Sequence, residues 1–151
     1  MHGNHKLNRF IIAQESDYPK ALKELKNGKK QTHWMWYIFP QIKGSGYSEI
    51  SNFYAIADSH EAKLYLKTKP LNQRLLELCD VLLRKKTKKA EKIFGPIDSQ
   101  KLQSSMTLFY TVCDDEITRL WFKAVLDKFF DGEFCQKTIE ILEKEAQVCQ
   151  G

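Results

Sequence analysis

Apolar residues recur along most of the chain at the three- and four-residue spacing of an amphipathic helix. The clearest stripes run through Leu71, Leu75, Leu78 and Leu82 and through Leu102, Met106, Phe109 and Tyr110. We find no alternating strand pattern and no internal repeat. The pattern predicts an all-α fold, an irregular array of about seven to nine helices. We expect a single domain over residues 1–151, with an ordered core at about 6–147.

Turn and capping residues predict where the helices begin and end. The stripe of Leu7 and Phe10 predicts a first helix, and Asp17 predicts the N-cap of a separate second helix with Pro19 in its first turn. Asn27-Gly28 would end that second helix. Four later starts and one break are also expected: N-caps at Ser48, Ser59, Asp98 and Asp114 or Asp115, and a break at Gly95-Pro96. Asp131-Gly132 would close the helix that Asp114 or Asp115 begins, and a last helix would start near Gln136.

The segment from Trp34 to Phe39 is apolar on all sides and stops at Pro40. It predicts a buried helix of two turns. A buried strand is the alternative, because aromatic residues also suit strands.

Composition and length describe a globular chain. The 151 residues are 42% hydrophobic and 28% charged, which excludes a disordered protein. No run approaches the roughly 20 apolar residues of a membrane span, and the first residues lack the apolar core of a secretory signal. We therefore expect a soluble, cytoplasmic protein with no membrane partner. The cysteines have no metal-ligand spacing, so no metal site is predicted; Cys79 and Cys113 would be buried thiols and Cys149 exposed.

Charge is distributed unevenly. Residues 1–101 carry 19 Lys or Arg against 10 Asp or Glu, whereas residues 102–151 carry 5 against 9. The dense basic run Arg84–Lys89 suits nucleic-acid binding, or else a solvated connection between two helices. No aromatic residue interrupts the run, which favours the connection over nucleic acid as a partner.

A first candidate site follows the aromatic segment. Gln41 and Lys43 precede a Gly44-x-Gly46 loop that leads into the Ser48-capped helix. Glycines let backbone amides converge, and such a loop can hold an anion. The alternative is that both glycines only make a tight turn.

The aromatic segment itself carries candidate chemistry. His33 would act as a general base or bind a phosphate, or it would satisfy a buried polar neighbour. Trp34 and Trp36 would line a pocket, or they would belong to the core.

A second candidate site lies on a later helix. Lys101, Ser104 and Ser105 are three and four residues apart on one helical stripe. A lysine beside two hydroxyls can hold a phosphate or carboxylate. The alternative is a close helix contact through small side chains with a solvated lysine.

These two stretches resemble an uncharacterised bacterial family. The matching segments are HWMWYIFPQ at residues 33–41, the following Gly-x-Gly, Phe94-Gly95, and KLQSSMTLF at residues 101–109. The similarity extends from about Leu7 to Leu142. Members are often labelled calpastatin-like, but a calpain inhibitor of that kind is a long disordered chain, so we reject this label.

The resemblance implies an all-helical single domain and no established activity. Its signature contains the polar residues His33, Gln41, Lys101, Ser104 and Ser105 beside aromatic ones. The Arg84–Lys89 run and the cysteines are not part of it.

Three functions are compatible with these patterns. The first is a pocket for a nucleotide or another phosphorylated or anionic metabolite, and this function needs no metal or cofactor. If there is catalysis, the reaction is hydrolysis or group transfer, and His33 is the acid or base. The second is a non-catalytic helical interaction module in which the signature fixes helix packing. The third is weak nucleic-acid binding through the basic run together with Lys26, Lys29 and Lys30.

Overall fold

The computed structural model describes the backbone of residues 3–46 and 48–150 and the side chains of residues 6–46 and 48–148. This part of the chain forms eight helices: α1 (Gly3–Lys26), α2 (Met35–Ile38), α3 (Glu49–Tyr54), α4 (Ser59–Lys67), α5 (Lys69–Leu83), α6 (Ala90–Val112), α7 (Glu116–Phe130) and α8 (Gln136–Gln150). No strand occurs in these residues. The all-α prediction is confirmed, and the helix number lies within the predicted range.

The core is one apolar cluster built mainly by α1, α4, α5, α6 and α7. A chain of rings crosses it: the Tyr65 ring lies 5.3 Å from Phe10 and 5.1 Å from Phe109, which lies 5.9 Å from Phe122. Such ring pairs each add about 0.5–1.5 kcal/mol beyond the burial of their surface. α6 packs against α4, α7 and α8, and these three neighbours fix its position in the fold.

Residues 3–26 form one helix, so the prediction of two helices with an N-cap at Asp17 is wrong. Pro19 lies inside α1, and the buried stripe of Phe10, Gln14, Ala21 and Leu25 continues past it. The burial of that stripe outweighs the hydrogen bond that proline cannot make. Asp17 accepts a hydrogen bond from the Tyr37 hydroxyl instead of capping a helix.

Two other predicted caps are also wrong. Asp58 caps α4 by accepting a hydrogen bond from the Glu61 N–H at 2.8 Å. The predicted cap, Ser59, is the first helical residue, and its N–H donates to the Glu145 carboxylate of α8 at 2.9 Å. Asp98 is likewise not a cap, since the chain is already helical at Pro96.

Gly95 makes the kink that divides α6. Its φ of 82° and ψ of 167° interrupt the helix, which resumes at Pro96. Proline suits the first helical position because the missing N–H would have no partner there. The predicted break at Gly95-Pro96 is confirmed, and it directs the second part of α6 along the cleft described below.

The aromatic segment is helical, as predicted, but α2 is only one turn long, from Met35 to Ile38. The chain then runs through Phe39 and Pro40 into a loop that returns to itself. Ile42 and Ile56 form an isolated parallel bridge, in which the Lys43 N–H donates to the Ile56 carbonyl at 2.7 Å. This bridge closes the base of the loop that contains α3.

Several local predictions are confirmed. Ser48 caps α3, Asp115 caps α7, and Asp131 ends α7 in the left-handed conformation with a φ of 53°. Cys79 and Cys113 are buried free thiols. The prediction for Cys149 lies outside the described side chains. In the described residues, no helix has the length and apolar character that crossing a membrane requires.

Candidate ligand-binding cleft

A cavity of about 560 Å³ opens between the loop that carries α3 and the second part of α6. We call it the main cleft. Its walls combine the rings of Trp36 and Tyr54 with amide, hydroxyl and ammonium groups. The other lining residues are Gln41, Ile42, Ser45, Gly46, Ser48, Ser51, Ala55, Ile97, Gln100, Lys101, Ser104, Cys135 and Lys137.

A second opening of about 350 Å³ adjoins the main cleft, and we call it the side pocket. Trp36, Ile97 and Lys101 line both cavities. The remaining side-pocket residues come from the segment before α2 and from the kink of α6: Lys30, His33, Met35, Phe94, Gly95, Pro96 and Asp98. The two cavities therefore meet where Trp36 and Lys101 face each other.

Lys101 is held at this boundary by two interactions. Its Nζ lies 5.3 Å from the centroid of the Trp36 ring and 3.5 Å from Asp98 Oδ1. An ammonium over an aromatic face is attracted by the ring's electron density. The side chain keeps 28% of its surface exposed, so the ammonium still faces solvent.

Asp98 is shared between two lysines. Its Oδ2 lies 2.9 Å from Lys30 Nζ, and the Lys30 side chain is only 8% exposed. Lys30 Nζ also donates to the Thr32 carbonyl at 2.6 Å and lies 4.9 Å from the Trp34 ring. Two ammonium groups against one carboxylate give this cluster a net charge of +1.

Glu24 fixes the loop that bears His33. Its buried carboxylate accepts hydrogen bonds from Gln31 N at 2.7 Å, Thr32 N at 3.1 Å, Thr32 Oγ1 at 2.7 Å and Trp34 Nε1 at 2.9 Å. Desolvation raises the pKa of Glu24, but these hydrogen bonds outweigh it and lower the pKa to about 2. The carboxylate is therefore a structural anion that orients the segment from Gln31 to Trp34.

The structure brings together much of the predicted site. Trp36, Gln41, Gly46, Lys101 and Ser104 all line the main cleft. His33 lies on the side pocket beside Trp36 and Lys101, and its side chain is exposed. The two sequence segments that suggested a site thus meet around one concave region.

Four predicted site residues lie elsewhere. Trp34 and Ser105 are fully enclosed in the core, and no hydrogen-bond partner for Ser105 Oγ is found in the described residues. Lys43 lines a separate shallow opening with Lys6 and Arg9. Gly44 faces α8, where a Cβ would lie 3.4 Å from Ile141 Cδ1. We leave these residues out of the proposed site.

The glycine loop serves packing and turn geometry. Gly46 leaves room for Ser51, because a Cβ there would lie 2.7 Å from Ser51 Oγ. The Ser45 N–H donates to the Ile42 carbonyl at 3.3 Å, and the Ser48 hydroxyl caps the N-terminus of α3. The amides that the sequence suggested as anion ligands are partly committed to the protein itself.

Ser104 contributes to both packing and the cleft. Its hydroxyl lies 2.9 Å from Thr138 Oγ1 of α8, and its side chain is nearly fully buried at the floor of the main cleft. One hydroxyl hydrogen bond still leaves each oxygen with further capacity to accept or donate.

The sequence did not place Lys30, Asp98 or the serines of the α3 loop in the anion site. Lys30 and Asp98 are far apart in the chain, so no local pattern pairs them. The serines had a weak signal: Ser48 and Ser51 flank the first turn of a predicted helix, and Ser45 lies between the two glycines.

The basic run Arg84–Lys89 connects α5 to α6. Arg84 pairs with Asp80 at 3.1 Å, and the Lys85 ammonium donates to the Lys26 carbonyl. These contacts lie at the C-terminal ends of α5 and α1, as expected of a connection between helices. The run lines neither cavity.

The fold of this chain is similar to that of a solved protein structure. A crystal structure titled conserved hypothetical protein Rv1873 from Mycobacterium tuberculosis is 38% identical, and the match covers 91% of this chain and 96% of that one with a TM-score of 0.86. No curated protein matches the chain. Residues 4–142 match the sequence profile of a family described as "Protein of unknown function (DUF1810)". The chain is therefore a member of this all-helical family of unknown function.

Proposed function

We propose that the protein binds a small phosphorylated metabolite in the main cleft, with the Lys101 ammonium as its principal charged contact. The observation that carries this proposal is the charge of the cleft. Among the described lining residues there are two lysines, Lys101 and Lys137, and no aspartate or glutamate. An anion that enters the cleft therefore meets positive charge, and the nearest carboxylate to Lys101, that of Asp98 at 3.5 Å, lies in the side pocket and is shared with Lys30.

The remaining lining chemistry supports a ligand with a ring and polar substituents. Trp36 and Tyr54 offer flat aromatic surfaces, and Gln41 and Gln100 offer amide donors and acceptors. Small-molecule sites combine apolar walls with a few polar groups in the same way, in cavities of about 300–1,000 Å³. A nucleotide has both the planar ring and the anionic group that these walls fit.

Binding is the proposed function, and catalysis is not part of it. His33 is on the side pocket, on the other side of the Trp36–Lys101 pair from most of the main cleft. Its position fits a contact with a second group of the ligand better than proton transfer to or from a group at the floor of the cleft.

The test is calorimetric titration with AMP, ADP, glucose 1-phosphate and inorganic pyrophosphate. Lys101→Gln is compared with Lys92→Gln, which removes the same charge from an exposed position on the same helix outside both cavities. Hydrogen bonds to charged groups contribute about 1.5–3 kcal/mol, so Lys101→Gln should weaken binding about tenfold or more. Equal affinities of the two variants would contradict the proposal.

A spectroscopic measurement locates the ligand. Trp36 lines the cleft, whereas Trp34 is enclosed in the core. Ligand binding should therefore change the fluorescence of the wild type and not that of Trp36→Phe. A change that persists in Trp36→Phe would place the ligand elsewhere.

An interaction module is the competing function. The observation in its favour is an exposed apolar pair on α7, Ile117 and Leu120, which are 74% and 62% exposed. Under this function, Ile117→Asp would abolish a protein complex, and Lys101→Gln would change the affinity for no small anion.

A further inference from the structure

We infer that the ligand is bipartite, with two groups joined through a phosphate or pyrophosphate that lies at Lys101. One group would occupy the main cleft and the other the side pocket. This inference rests on the proposed function and specifies its ligand class: nucleoside diphosphate sugars and dinucleotides.

The main cleft and the side pocket adjoin each other. Trp36, Ile97 and Lys101 belong to the walls of both. Ile97 is 70% exposed, so this shared boundary lies at the surface of the protein, where one ligand can reach both cavities. A ligand bound against Lys101 has open volume on both sides.

The positive charge lies at the junction of the two cavities. The Lys101 ammonium lies between the Trp36 ring at 5.3 Å and Asp98 at 3.5 Å, which places it at the junction and not at the end of either cavity. Because Asp98 is also paired with Lys30 at 2.9 Å, it neutralises only part of the local positive charge. The anionic group is thus expected in the middle of the ligand.

The two compartments differ in their chemistry. The main cleft presents two aromatic rings and two side-chain amides, which suit a base. The side pocket is lined by Met35 and Phe94, the His33 imidazole and the Lys30–Asp98 ion pair, whose opposite charges offset each other. An imidazole nitrogen can donate to or accept from a hydroxyl, so this compartment fits an uncharged group with hydroxyls, such as a sugar.

The size of the cavities agrees with two groups. At about 560 Å³ and 350 Å³, each lies within the usual range for a separate small-molecule site. A monophosphate that fills the main cleft would leave the side pocket empty.

The experiment compares whole ligands with their halves by calorimetry. UDP-glucose is measured against UMP and glucose 1-phosphate, and NAD⁺ against AMP and nicotinamide mononucleotide. Joining two groups that bind adjacent sites makes the second contact intramolecular, which raises affinity without new contacts. We expect at least one whole ligand to bind tenfold or more tightly than either of its halves.

Variants assign the gain to the side pocket. His33→Ala should remove most of the advantage of the whole ligand and leave the affinity of the nucleoside monophosphate unchanged. His60→Ala is the matched control, because His60 is an exposed histidine on α4 that lines neither cavity. Thermal unfolding of each variant checks that the fold is intact. Because His33 and His60 are exposed, we expect both variants to unfold at the wild-type temperature.

The outcomes separate the two proposals. If a monophosphate binds through Lys101 but neither whole ligand binds more tightly, the bipartite ligand is refuted and the proposed function stands. The bipartite ligand is also refuted, and the proposed function stands, if a whole ligand gains affinity that His33→Ala does not reduce. If no compound shows binding that depends on Lys101, both proposals fail.

Discussion

The charge of Glu24 should contribute a large part of the stability of the loop that bears His33. Glu24→Gln tests the charge alone. The amide oxygen can still accept from Gln31, Thr32 and Trp34 in place of Oε1. The amide nitrogen would face the Thr32 hydroxyl, which can turn to accept.

The magnitude follows from the lowered pKa of the carboxyl. A fall from the usual 4.5 to about 2 corresponds to about 3 kcal/mol, at 1.36 kcal/mol per pKa unit. For a chain of this length that is a fall of roughly 10 °C in Tm. Glu24 as a whole residue is only 8% exposed, so solvent screens its charge little, and the figure is the upper limit of the effect.

The pH dependence has a definite sign. Because the pKa of Glu24 is lower in the folded state, its contribution to the free energy of unfolding is complete above about pH 4.5 and is lost as the pH falls towards 2. Glu24→Gln does not titrate, so the gap between wild type and variant should narrow over this range. Urea unfolding at pH 7 and at pH 3 measures both gaps.

Glu140 provides the control for the loss of a carboxylate. Glu140→Gln, at an exposed position on α8, should change stability by less than about 0.5 kcal/mol at both pH values. A Glu24→Gln protein as stable as wild type at pH 7 would refute the role of the charge. A gap that is equal at pH 7 and pH 3 would refute its assignment to the carboxylate.

Three further predictions concern stability and are checked by chemical denaturation. Arg9 donates through Nη2 to Glu61 at 3.0 Å and to the Ala55 carbonyl at 2.8 Å, and through Nε to the Phe53 carbonyl at 2.9 Å, so Arg9→Lys, whose single nitrogen cannot replace both donor atoms, should cost about 2 kcal/mol; a cost below 0.5 kcal/mol would contradict this. Gly95→Ala should cost about 1–3 kcal/mol through backbone strain alone, because no atom lies within 4 Å of a Cβ there; an unchanged stability would mean that the kink relaxes. Ser105→Ala removes a buried hydroxyl without a partner in the described residues and should be neutral or stabilising by up to about 1 kcal/mol, whereas clear destabilisation would reveal a missed hydrogen bond.

The features that could be predicted from the sequence depend on signals within a few residues. α7 is the clearest case, since Asp115 caps one end and Asp131-Gly132 closes the other. α1 shows the limit of such signals. Pro19 after Asp17 is a good local start, but the buried stripe that continues past it depends on the rest of the core.

The candidate site was predictable in part for the same reason. Trp36 and Lys101 lie in two conspicuous segments, but only the tertiary fold brings the ring and the ammonium together. Trp34 has the same composition around it as Trp36, and a hydrogen bond to Glu24 of α1 places it in the core. Periodicity cannot separate Trp36, on a helix of one turn, from Trp34, which precedes that helix as its N-cap residue.

The Ile42–Ile56 bridge has a consequence for how binding preference can diverge among related chains. The ends of the α3 loop are clamped by backbone hydrogen bonds, Lys43 N to Ile56 O and Ile56 N to Gln41 O, which do not depend on the side chains between them. None of the residues of α3 is buried. The solvent-facing side chains of this wall of the cleft can therefore change without moving its backbone, which the bridge and the packing of Tyr54 against Phe10 and Tyr37 hold on the helices beneath it.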